Sequence, residues 1–94
     1  MSYKVDHNVI SYLHGKEVLA TVEFPQYKHN IVRITHTFVD EKLRGQGVAS
    51  RLMEELVRVL ADTQHQAILV CSYAKKWFSA HPEYSYLVYE ENED

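Results

Sequence analysis

The sequence predicts a mixed α/β (α+β) domain with a central mixed sheet of about four strands and two packed helices. Three observations predict it. Residues 31–39 alternate in a β-branched, apolar run, which suits a strand. Residues 47–62 carry apolar side chains at the helical period. Residues 67–71, Ala-Ile-Leu-Val-Cys, are almost wholly apolar and short, which suits a strand buried on both faces. Ninety-four residues suffice for a single domain spanning 1–94 with a thin core.

The elements follow in order. Residues 8–13 read as a strand, His14-Gly15-Lys16 as a turn, and residues 17–24 as the hairpin partner. Residues 25–30 read as a polar connection. In the strand 31–39, Val32, Ile34, His36 and Phe38 share one face, and Arg33, Thr35, Thr37 and Val39 the other. In the helix that follows, Val48, Leu52, Leu56 and Val59 form a stripe widened by Ala49, Met53, Val57 and Leu60. Ser50, Arg51, Glu54, Glu55 and Arg58 fall on the wet side. After the strand 67–71, Ser72 is placed to cap a helix over 73–80, and Pro82 stops it. The step from strand 31–39 through the helix to strand 67–71 reads as a βαβ crossover, with a ligand expected at its carboxyl edge.

Composition narrows the function classes. Apolar residues make up 46% and charged residues 24%, the balance of an ordinary folded protein. The net charge of −3 is concentrated in Glu90, Glu91, Glu93 and Asp94, so residues 90–94 read as a frayed acidic tail. With no basic stripe, nucleic acid is not expected as a partner. No apolar window is long enough to span a bilayer, and no signal peptide is apparent. The one cysteine, Cys71, excludes an internal disulfide. The cytoplasm is the expected compartment, and an exposed edge strand would permit a monomer or a weak dimer.

The chemistry centres on Arg44-Gly45-Gln46-Gly47-Val48-Ala49, a loop between a strand and a helix. Amides at a helix start have no intrahelical acceptor, so such a loop suits phosphate or pyrophosphate. The dinucleotide pattern fails because Ser50 stands where its third glycine would be, and the P-loop pattern lacks its Gly-Lys-Ser/Thr. What remains is Arg-x-x-Gly-x-Ala. Small residues let the backbone approach a ligand, and Arg44 adds a permanent charge.

This loop resembles the acetyl-coenzyme A signature of the GNAT superfamily of N-acetyltransferases. With Thr35-His-Thr37, Cys71-Ser-Tyr73 and His81-Pro-Glu-Tyr84, the chain from 31 to 88 is similar to a subfamily of very short GNAT-like proteins. The resemblance implies acetyl-CoA as cofactor and an unidentified amine as acceptor. It implies a pantetheine arm between splayed strands, bonded near Phe38 and Val39, and a pyrophosphate on the amides of 44–49. Lys75 and Lys76 would help neutralise the phosphates. The family's leaving-group acid, a tyrosine four residues past an alanine, corresponds here to Phe78, which has no hydroxyl. The fold is also expected to be truncated after the second helix. Cys71 is then the leading catalytic candidate, as acid, base or nucleophile. His36, expected to point inward, and Tyr73 are the others. His36, Cys71 and His81 match no zinc spacing, so no metal is expected. The alternative reading is a CoA-binding or protein-interaction module without turnover.

Overall fold

A computed structural model describes residues 2–91. Strands β1 (Ser2–Asp6), β2 (Val9–His14), β3 (Glu17–Glu23) and β6 (His36–Val39) form an antiparallel sheet in the order β1-β2-β3-β6. Strands β4 (Gln26–Lys28), β5 (Ile31–Ile34) and β7 (Gln66–Leu69) form a second sheet, with β4 antiparallel and β7 parallel to β5. Helices α1 (Val48–Asp62) and α2 (Ser72–Ala80) complete the layers, and the chain continues into a 3-10 turn over Pro82–Leu87. The mixed class is as expected, but the strands number seven in two sheets rather than about four in one.

Two strands lie where apolar content is too low to announce them. β1 is exposed along its whole length. It is held by a two-residue turn in which His7 and Asn8 both adopt positive φ, 49° and 62°, a geometry that matches strand twist. Asn8 is therefore turn rather than strand. β4 lies inside the expected polar connection. Its Tyr27 packs under the Arg33 guanidinium, 3.8 Å from the ring centroid.

The run 31–39 is two strands, not one. The Thr35 amide donates to the Glu23 carbonyl at 3.0 Å, while Glu23 is in register with His36. Two successive residues thus oppose one, which is a bulge. The extra residue inverts the alternation. Val32 and Ile34 are buried, but beyond the bulge Thr37 and Val39 turn inward, and His36 and Phe38 face solvent. The inward orientation expected for His36 is thereby overturned. At the same level Val70 and Cys71 both donate to the Ile34 carbonyl, at 3.1 and 2.9 Å. Strand β6 leaves with β3, and the chain after β7 leaves with α2. β7 is also less buried than expected: Ala67 is enclosed, Ile68 and Leu69 are half-buried and Val70 is exposed. Among the described residues its outer flank is met by the Ala67–Val88 bridge, with the Tyr89 amide donating to the Ala67 carbonyl at 2.8 Å.

The helix α1 follows the apolar stripe read from the sequence, burying Val48, Leu52, Met53, Leu56, Val57 and Leu60. These join Ile10, Ala20 and Val22 of one sheet with Val32, Ile34 and Ala67 of the other in one core. α2 adds Ala74, Trp77 and Phe78. Cys71, not Ser72, is its N-cap residue. Past the helix, His81 stacks on Trp77 at 3.9 Å and its Nδ1 lies 2.7 Å from the Trp77 carbonyl. Of the expected frayed tail, Glu91 accepts a hydrogen bond from the Tyr27 hydroxyl; residues 92–94 lie outside the described residues. Among the described residues no helix is long and apolar enough to cross a membrane.

Leu56, fully enclosed on α1, tests this core. Leu56→Ala is expected to cost about 2–5 kcal/mol, read from urea denaturation of both proteins. A loss below about 1 kcal/mol would contradict the packing.

Candidate functional site

Between β6 and α1 the chain turns twice. Asp40 accepts from the Lys42 amide at 2.9 Å and opens a 3-10 turn, Glu41–Leu43, whose Leu43 enters the core. The Arg44 amide donates to Glu41 and the Gln46 amide to Leu43. Gly45 and Gly47 adopt φ of 82° and 75°, where residues with a Cβ are strained. A Cβ at either would meet no atom within 4 Å, so glycine is required by backbone geometry and not by crowding. The amides of Gly45, Gly47, Val48 and Ala49 have no acceptor among the described residues. Of the six amides expected to form a cradle, Arg44 and Gln46 are thus consumed by the turn, leaving four at the positive end of α1.

These amides border a cleft of about 260 Å³. Val39 and Leu43 line its apolar side, residues 44, 45 and 47–50 its loop and helix side, and Tyr73 enters from α2. Beside it runs the edge of β6. The Asp40 amide donates to the Leu19 carbonyl at 2.7 Å, and antiparallel alternation turns the main chain of Phe38 toward β3 as well. The main-chain groups of Thr37 and Val39 therefore face the edge that no strand covers.

At the fork, Cys71 Sγ lies 3.5 Å from Thr37 Oγ1. Burial pushes the Cys71 thiol up, but the Thr37 hydroxyl and the amides of Ala74 and Tyr73 outweigh it, so the thiol sits below its ordinary value. An N-cap thiolate is stabilised by the free amides of the first turn. The Tyr73 phenol is held above its ordinary value, by burial first and by the neighbouring Cys71 charge second, with the Ser50 hydroxyl opposing both. Ser50 Oγ in turn accepts from Trp77 Nε1 at 2.8 Å.

The fold thus assembles Val39, Arg44, Gly45, Gly47, Val48, Ala49, Cys71 and Tyr73 in one region. It places other candidates elsewhere. His36 is exposed opposite Glu23, and Phe38 is exposed opposite Thr21. The Gln46 side chain donates to the Lys42 carbonyl at 3.2 Å. Lys75 lines a separate hollow with Phe78 and Val88, and Lys76 is exposed on α2. Sequence reasoning missed Thr37 and Ser50 as site residues. Thr37 is turned inward by the bulge. Ser50 falls on the wet face of the helical period, but a side chain in a first helical turn leans back over the N-terminus. Among the described residues no group of three His, Cys, Asp or Glu is placed to hold a metal.

A family model described as GCN5-related N-acetyl-transferase matches residues 3–87. No curated protein matches the chain. Among solved structures, the solution structure of a GCN5-like protein from Staphylococcus aureus is 24% identical, covers 97% of this chain and 90% of its own, and has a TM-score of 0.78. A GNAT family acetyltransferase from Elizabethkingia anophelis with acetyl-CoA bound is 12% identical over 81% of this chain, with a TM-score of 0.61. Rv2747 from Mycobacterium tuberculosis, in complex with CoA, is 18% identical over 80%, with a TM-score of 0.63. This chain spans 51% and 47% of those last two.

Because Cys71 is the sole cysteine, its titration can be followed by iodoacetamide alkylation rate against pH. The midpoint is expected below that of a free cysteine thiol, and Thr37→Val, which removes one hydrogen-bond partner of the thiolate, should raise it. An unchanged midpoint in the variant would remove Thr37 as a cause.

Proposed function

The chain belongs to the GCN5-related N-acetyl-transferase family, and from that premise we propose that it transfers an acetyl group from acetyl-CoA to an amine. One observation carries the reading: four unpaired amides, of Gly45, Gly47, Val48 and Ala49, border a cleft that Tyr73 also lines. This donor set fits a pyrophosphate, with Arg44 as its counter-charge. The open edge at Thr37 and Val39 fits the amide groups of a pantetheine arm. Two similar structures, holding acetyl-CoA and CoA, support the same ligand.

When bound, acetyl-CoA supplies the acetyl group as a thioester, whose C–S bond breaks with its electron pair leaving on sulfur as the amine nitrogen bonds to the carbonyl carbon. The residues supply the rest. The unpaired Val39 amide stabilises the charge that develops on the carbonyl oxygen. The Cys71 thiolate takes the surplus proton from the amine nitrogen. The Tyr73 phenol gives its proton to the departing sulfur. The Cys71 thiol then returns a proton to the Tyr73 phenolate, and both groups regain their starting states. His36, on the opposite face of β6, is given no part. Lys75 and Lys76 are given none in phosphate binding.

A second reading, binding of CoA without turnover, draws on Phe78, buried in the core where the family resemblance places its tyrosine acid. The two readings separate by experiment. CoA should shift the amide resonances of Gly45, Gly47, Val48 and Ala49, and Arg44→Ala should weaken it about fivefold. Still amides at millimolar CoA would refute both. Acetyl transfer across a panel of amines, abolished by Cys71→Ala with the fold intact, selects the enzyme; binding with no transfer to any amine selects the module.

A further inference from the structure

We propose that two copies of this chain pair through β1, antiparallel, about a two-fold axis at Val5. The inference concerns the sheet edge opposite the cleft and does not rest on the acetyl-transfer reading.

Four strands end a sheet: β1 and β6 in the first, β4 and β7 in the second. The β6 edge borders the cleft, and the β7 flank is met by Val88. β4 has three residues and a shifted register. β1 differs from all of these. Its five residues are exposed and lie in unbroken register with β2. It carries no proline and no bulge, the devices that blunt an edge strand. The His7-Asn8 turn closes with the Asp6 carbonyl accepting from the Val9 amide, as its two positive φ values require. Antiparallel alternation then directs the main-chain groups of Asp6, Lys4 and Ser2 at β2. Those of Tyr3 and Val5 point to the open edge.

The side chains select the partner and the register. A second β1 can meet the open groups only if Tyr3 or Val5 of one strand faces Tyr3 or Val5 of the other. Centred on Lys4, the pairing sets two ammonium groups against each other. Centred on Tyr3, it sets Lys4 against the partner's Ser2, with no counter-charge. Centred on Val5, it sets Lys4 against the partner's Asp6 and Asp6 against the partner's Lys4, two ion pairs related by the two-fold axis. A lysine on an edge strand ordinarily opposes pairing; an aspartate two residues on gives it a counter-charge in a second copy. Asp6 Oδ1 lies 2.6 Å from His7 Nδ1, and its other oxygen faces the partner's lysine. The face that α1 covers agrees. Val5 is opposite Ile10 and Ile10 opposite Val22, so the apolar row Val22-Ile10-Val5 runs straight into its own copy. Val5, 51% exposed in the single chain, is closed in by that copy. The product is one continuous sheet, β6-β3-β2-β1 followed by the same four strands in reverse. Its two clefts lie at the far ends, unobstructed.

The test exchanges the charges. Sedimentation equilibrium should show the wild-type chain passing from monomer to dimer as concentration rises, with hydrogen exchange at the Tyr3 and Val5 amides slowing in step. Lys4→Asp and Asp6→Lys should each weaken association about tenfold, since each sets like charges together in both pairs. Mixed in equal amounts, the two variants should associate with each other about as tightly as wild type, because every pair is again of opposite sign. Both positions are exposed, and unshifted core resonances in each variant separate lost pairing from lost folding. A wild-type chain that stays monomeric to millimolar concentration overturns the proposal. So does a dimer that both variants form as tightly as wild type, and so does a mixture that associates no more tightly than either variant alone.

Discussion

The Ile34 carbonyl is the point on which the architecture turns. It accepts from both Val70 and Cys71, and one residue later the Thr35 bulge redirects the chain into another sheet. Up to that level β5 and β7 are a parallel pair. Beyond it the two segments separate, one following β3 and the other entering α2. The separation leaves main-chain groups of Thr37 and Val39 unpaired at an edge and sets a threonine against a cysteine across the fork. An unbroken strand over 31–39 would have kept Thr37 on the outer face.

The same economy governs the loop. Unpaired amides stay in the wet because the glycines at 45 and 47 hold backbone conformations that other residues resist, while Leu43 ties the turn to the core. A permanent arginine charge and the positive end of α1 then act in one direction, toward an anion. Across the cleft the polarity differs. The first turn of α2 favours a thiolate at Cys71, and that charge helps keep the Tyr73 phenol protonated. One group poised to take a proton thus sits near another poised to give one.

Much of this was legible in the sequence, and the limits have physical causes. The α1 stripe showed itself because six core positions recur at the helical period. The glycine loop showed itself because few residues tolerate positive φ, and Pro82 because it cannot continue a helix. The bulge did not show, because apolar and polar residues alternate on both sides of Thr35 and nothing in its chemistry marks an extra residue. That one inversion moved His36 and Phe38 out and Thr37 in. β1 and β4 did not show because they bury little, and what holds them is a turn and a cation over a ring. Ser50 lacked any mark of its own; the indole that bonds its hydroxyl lies 27 residues away.

The fork also has a place in time. The β1-β2 and β2-β3 hairpins close over two-residue turns, and such pairs form in microseconds. The contact between Thr37 and Cys71 joins residues 34 apart, and β5 meets β7 only after α1 has been threaded between them. Loop closure of that span must precede any gain from it. The site is therefore a late product of folding, because it waits on partners far apart in the chain while the hairpins close locally.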